Sequence, residues 1–101
     1  SLISGRIEKN NSTNTIADGL KTELGDINFP IIKQEIDQII RVSEKEIIES
    51  MKMIWERLKI VCEPSCAVTL ASIFKEKKSL QGKKIGVIIS GGNVDLSKLP
   101  F

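Results

Sequence analysis

Four consecutive residues, Ser90, Gly91, Gly92 and Asn93, end the apolar run KIGVII that begins at Lys84. In an open α/β sheet ligands gather at the carboxyl ends of the strands, which is where Ser90 would stand. Gly91 and Gly92 remove side chains and permit unusual dihedrals, so that backbone can come close to a flat or charged ligand. Asn93 adds one donor and one acceptor. Locally, the same four residues also read as an ordinary turn. A P-loop does not explain them, because no Lys-Ser or Lys-Thr pair follows the glycines, and a nucleotide or cofactor ring is the other candidate.

The rest of the reactive inventory is short. The chain has no histidine, which removes Ser-His-Asp triads, His-paired cysteine nucleophiles and HExxH zinc sites. Cys62 and Cys66 are too few for a disulfide framework, and their four-residue spacing suits one helical face, so both are expected as free, buried thiols. A net charge of +2 and only four aromatic residues argue against nucleic acid. No apolar run approaches the roughly 20 residues a spanning helix needs, and no signal segment opens the chain. A soluble, cytoplasmic protein without membrane or nucleic-acid partners is the expectation.

These residues need elements to hold them, and 101 residues allow at most one small domain. The opening SLISGRIEKNNSTNT reads as a short element followed by a loop, which ADGLKTELGD continues. FPIIKQEI places Pro30 where a short helix can begin. DQIIRV, residues 37–42, is brief, branched and apolar, as a buried strand would be. In SEKEI, Ser43 and Glu46 form a capping box, with Val42 and Ile47 as its hydrophobic staple. From Ile47 to Leu58 apolar residues recur at three- and four-residue steps, predicting one long amphipathic helix. A second helix begins near Pro64 and carries the small residues Ala67, Ala71 and Ser72. Lys75, Lys77 and Lys78 stand near its end and Gly82 at its exit. Residues 84–90 then read as a second strand. The order strand, helix, helix, strand favours a parallel α/β arrangement, yet two strands cannot make a stable sheet alone, so the sheet should be incomplete.

Taken together, TIADGLKT (15–22), VSEKEI (42–47), WERLKIVCEPSCAVTLAS (55–72) and GKKIGVIISGGNVDL (82–96) resemble the C-terminal part of the serine racemase and serine/threonine dehydratase family. The resemblance covers nearly the whole chain in order and spacing. It implies a pyridoxal-phosphate enzyme of the tryptophan-synthase-β fold type, fold type II. Residues 1–101 would then be the C-terminal segment of a three-layer α/β large domain with a mostly parallel sheet. The serine of the family's SGGN block bonds the pyridine nitrogen of the cofactor, and Ser90 matches it, with Gly91 beside it. A neutral hydroxyl cannot keep that nitrogen protonated as a carboxylate would. The ring is then a weaker electron sink, which favours relief by expulsion of a β-hydroxyl.

Other positions carry over in the same way. Gly19 and Thr22 match the loop that approaches the substrate, although a turn glycine and a capping threonine would look alike in sequence. Lys59 and Asn93 match residues that contact a nucleotide in animal racemases; a solvated helix lysine is the alternative for Lys59. Glu63 matches a glutamate near the cofactor pocket, or else caps the helix at Pro64. Pyridoxal phosphate is thus the implied cofactor, with Mg2+ and ATP as possible effectors. The cofactor-binding lysine, the phosphate cradle and the metal ligands belong to parts of the family that precede Ser1, so the chain alone is expected to be inactive and to hold no catalytic residue.

The parent is accordingly expected to convert L-serine or L-threonine to the 2-oxo acid and ammonia. Alternatives within the family are serine racemisation and 3-hydroxyaspartate dehydration. An alternative of another class is a non-catalytic interaction or dimerisation module. The expected partners are an amino-acid substrate, the remainder of its own catalytic chain and further copies in a homo-oligomer. The ending SKLPF, if natural, would mean that no regulatory domain follows.

Overall fold

Helix-forming signals account for what is regular in this chain. In the computed structural model, which describes residues 1–101, three α-helices run Asn28–Glu35 (α1), Glu44–Met53 (α2) and Pro64–Lys75 (α3), with short 3-10 turns at Asp18–Leu20 and Leu96–Lys98. Pro30 lies in the first turn of α1, where its missing N–H costs nothing, and Phe29 beside it is buried. The capping box forms as the sequence reads: the Ser43 hydroxyl accepts from the Glu46 N–H, and the Glu46 carboxylate accepts from the Ser43 N–H at 2.6 Å. At the start of α3, Pro64 occupies the first position and Glu63 the cap.

The helix predicted through Leu58 changes character on the way. After Met53 it widens into a π-helical turn, Ile54–Leu58, and stops at Lys59, which adopts the left-handed conformation with φ 57° and ψ 33°. Lys59 is exposed, as a solvated lysine would be, and stands at the end of the helix; its backbone N–H returns to the Trp55 carbonyl at 3.2 Å and closes the turn. Lys77 and Lys78 fall beyond α3, in the turn that leads to Gly82, where φ is 77°. Residues 1–17 form no helix or strand.

Small residues set the packing. α2 and α3 are the principal packed pair, with Ile47, Ser50 and Met51 buried on one and Cys66, Ala67 and Ala71 on the other. The core joins Ala17, Ile47, Met51, Ile54, Cys62, Cys66 and Ala67, with Val42, Trp55, Val94 and Leu99 packed around it. Both cysteines are free and fully buried, but only Cys66 is on a helix. Cys62 precedes α3, held by the Trp55 indole N–H, which donates to its carbonyl at 2.9 Å. Burial, with Cys66 beside it, pushes the Cys62 thiol above its ordinary value.

The expected sheet is where the structure departs from the reading. Residues 37–42 and 84–90 contain no strand, and no backbone hydrogen bond joins one to the other. The apolar, branched composition of both is as read, but a ladder needs neighbours. Instead, Ile40 and Ile85–Ile88 line one groove of about 360 Å³ together with Thr69, Ile73 and Leu80. The chain makes 40 backbone–backbone hydrogen bonds, where about 65 to 70 would be usual for its length. Its radius of gyration of 14.7 Å and thickness of 20 Å describe a slab wider than a compact domain of this size, for which about 13 Å is normal.

Candidate functional site

Three segments meet at the N-terminus of α3. The first is the glycine block. Gly91 accepts a backbone hydrogen bond from the Glu63 N–H at 3.1 Å, which ties the end of the 84–90 segment to the residue that opens α3. A Cβ on Gly91 would collide with the Glu63 Oε1 oxygen, and one on Gly92 would lie 2.5 Å from the Val61 carbonyl oxygen. Backbone at Val61 makes glycine necessary at 92, whereas at 91 the neighbour is the end of the flexible Glu63 side chain.

Glu63 answers one of the alternatives left open by the sequence. It is the cap residue of α3, yet its side chain makes no capping hydrogen bond, and its carboxylate is turned toward Gly91. Ser90, next to it, is exposed. Its hydroxyl carries one donor and one acceptor, and the residue is open to solvent.

The second segment is the loop Thr15–Thr22. The Gly19 N–H donates to Ser65 Oγ at 2.9 Å and is shared with Asp18 Oδ1 at 2.9 Å. Ala17, two residues earlier, is buried in the core. Thr22 is exposed, and its carbonyl accepts from the Asn10 amide at 3.2 Å. The third segment begins at Asn93. A cleft of about 340 Å³ is lined by Asn93 together with Pro64, Thr15, Asp18, Lys21 and Lys98. Asp95 holds the following 3-10 turn; hydrogen bonds from the Ser97 hydroxyl and N–H keep its carboxyl below the ordinary range.

Gly19, Gly91 and Asn93 are thus brought to one end of α3, with Ser90 adjoining. Lys59 is not: it closes the π turn and lines neither the cleft nor the groove. Two residues of the arrangement escaped the sequence reading. Ser65 reaches Gly19 across 46 positions, and Glu44 reaches Thr15 and Ile16 across 29 and 28. No local spacing announces either bond; Ser65 reads as a helix-start residue and Glu44 as a first-turn acid.

A neutral hydroxyl is a partner that a pyridine nitrogen can accept from, and Ser90 stands exposed beside a glycine block packed against residues 61–63. No group of three or more His, Cys, Asp or Glu side chains gathers anywhere in the chain to hold a metal ion, and no helix is long and apolar enough to cross a membrane.

Comparison with known proteins gives the same direction. The family described as pyridoxal-phosphate dependent enzymes matches residues 1–91. A serine racemase of Dictyostelium discoideum is 55% identical over 98% of this chain and 32% of its own length. A beta-hydroxyaspartate dehydratase of Paracoccus denitrificans is 45% identical over 96% of this chain and 31% of its own. Among solved structures, a threonine deaminase of T.th. superposes with a TM-score of 0.89 at 36% identity, covering 97% of this chain and 33% of that one. The chain spans about a third of the length of the curated relatives it matches. It belongs to the pyridoxal-phosphate dependent enzyme family, and the relatives it resembles include a serine racemase and a beta-hydroxyaspartate dehydratase.

Proposed function

We propose that this chain is the C-terminal segment of the large domain of a pyridoxal-phosphate ammonia-lyase acting on L-serine or L-threonine, and that it supplies the floor of the cofactor site. The observation that carries the reading is the open Ser90 hydroxyl on a glycine block packed from behind by residues 61–63. When bound, the pyridoxal ring supplies an electron sink for the pair left by the α-proton of the substrate. Ser90 would hold the ring nitrogen as a neutral partner, and Gly91 would let the backbone approach the ring. Gly19 and Thr22 would face the amino acid. Loss of the α-proton and the β-hydroxyl, followed by hydrolysis, yields the 2-oxo acid and ammonia. A ring nitrogen bonded to a hydroxyl rather than a carboxylate favours that elimination over return of a proton to the α-carbon.

The under-paired backbone and the exposed apolar segments support the remainder of the catalytic chain as the principal partner, in a homo-oligomer, over a free-standing interaction module. Asn93 and Lys59 remain the positions proposed for a nucleotide effector, with Mg2+ as a second effector.

The test uses the full-length protein that contains this chain. Incubated with L-serine, L-threonine and 3-hydroxyaspartate in turn, it should release 2-oxo acid from at least one, in excess of any D-serine. Predominant D-serine would make it a racemase, and no product from any of the three would reject the reading. Addition of ATP and Mg2+ should raise the rate if the effector assignment is right.

A further inference from the structure

The loop that carries Gly19 is held from both main helices. Glu44, the first residue of α2, receives the Thr15 hydroxyl on one carboxylate oxygen and the Ile16 N–H, at 2.8 Å, on the other. Thr15 Oγ1 in turn accepts from the Ala17 N–H at 3.1 Å. These bonds set the entry to the loop, and Ala17 is then sunk in the core.

Two residues on, Ser65 of α3 takes the Gly19 N–H, in competition with the neighbouring Asp18 carboxylate. The approach is close. A Cβ on Gly19 would stand 2.8 Å from Ser65 Oγ and 3.2 Å from Ser65 Cβ, so the contact requires no side chain at 19 and a short hydroxyl at 65. Without that hydroxyl, Asp18 alone holds the N–H, and the turn Asp18–Leu20 keeps only its packing against α3. Residues 17 and 19 are thereby fixed relative to the same helix start that receives Gly91 through Glu63.

We propose that Ser65 and Glu44 are positioning residues for the substrate-facing loop, setting where Gly19 and Thr22 meet the amino acid relative to the Ser90 floor. This rests on the functional reading above. Neither residue need touch substrate. Their contribution is to remove the loop's alternative positions before substrate arrives, which lowers the cost of binding.

The experiment is steady-state kinetics on the full-length protein with Ser65→Ala, Ser65→Thr and Glu44→Gln, beside cofactor content and melting temperature. A second readout is the midpoint of the cofactor absorbance change on titration with L-alanine, which has no β-hydroxyl to lose. Loss of one such hydrogen bond is worth about five- to tenfold. Ser65→Ala should therefore raise KM and the L-alanine midpoint by about that factor, with kcat, cofactor content and melting temperature little changed. Ser65→Thr, which keeps the hydroxyl, should restore both, and Glu44→Gln, which keeps one acceptor, should fall between. The proposal is overturned if KM and the midpoint stay within about twofold in Ser65→Ala. It is equally overturned if kcat, cofactor content and melting temperature fall together and threonine does not rescue them. An unvaried protein that makes neither 2-oxo acid nor D-serine would instead remove the functional reading on which the inference rests.

Discussion

Gly91 and Gly92 meet obstacles of different kinds. At Gly91 the obstacle is the far end of the Glu63 side chain, which can swing aside; at Gly92 it is the Val61 backbone carbonyl, which cannot move without moving the chain. Alanine at 92 should therefore destabilise by about 1–3 kcal/mol, the usual range for forcing a methyl into filled space, and alanine at 91 by clearly less. Urea unfolding of the full-length protein carrying each substitution decides it, and equal effects would mean that the block does not pack as described. At this scale the SGGN block alone reads as an ordinary turn, and it stood out only through the resemblance that it shares with the three other blocks of the chain. Ser65 and Glu44 were not legible, because their roles are defined by partners 46 and 28 to 29 residues away.

Helix α2 shows what local chemistry does encode. Ser43 and Glu46 are three residues apart and complete their box within one turn, so the sequence alone locates the start. Ser43→Ala should cost about 1 kcal/mol, as loss of a cap commonly does. Glu46 adds a pH dependence. The Ser43 N–H and hydroxyl, with Lys75 contributing less, hold its carboxyl below the ordinary value of 4.5. A depressed carboxyl stabilises the fold fully above its unfolded value and loses that contribution as the pH falls through its folded one. Glu46→Gln should therefore lower the melting temperature at neutral pH and converge with the unvaried protein as the medium is acidified below 4.5; a constant difference at all pH values would rule the box out as its source. The π turn at Ile54–Leu58 was invisible, since its apolar spacing matches an α-helix and the wider hydrogen-bond register leaves no mark in the sequence. The two strands were legible as apolar segments but not as a sheet, because pairing is a property of neighbours rather than of either segment.

For the molecule as a whole, the decisive facts are the missing backbone bonds and the apolar surface left outside. Ile39 is 64% exposed and Ile88 77% exposed, both within the segments that form no ladder. Unpaired apolar edges of this sort template association, so the chain in isolation should self-associate, reversibly and with concentration, in sedimentation velocity. Ile88→Lys should shift it toward monomer, as charges on edge strands commonly do; a monodisperse monomer of the unvaried chain would contradict the incomplete-sheet reading. The groove between Ile40 and Ile85–Ile88 also defines a seam. A partner strand laid along it would meet open backbone donors and acceptors as well as apolar side chains, and hydrogen-bond direction and side-chain alternation would both have to match. Such a seam discriminates by register rather than by stickiness, so a protein divided here would tend to rejoin its own other part in preference to a merely greasy surface.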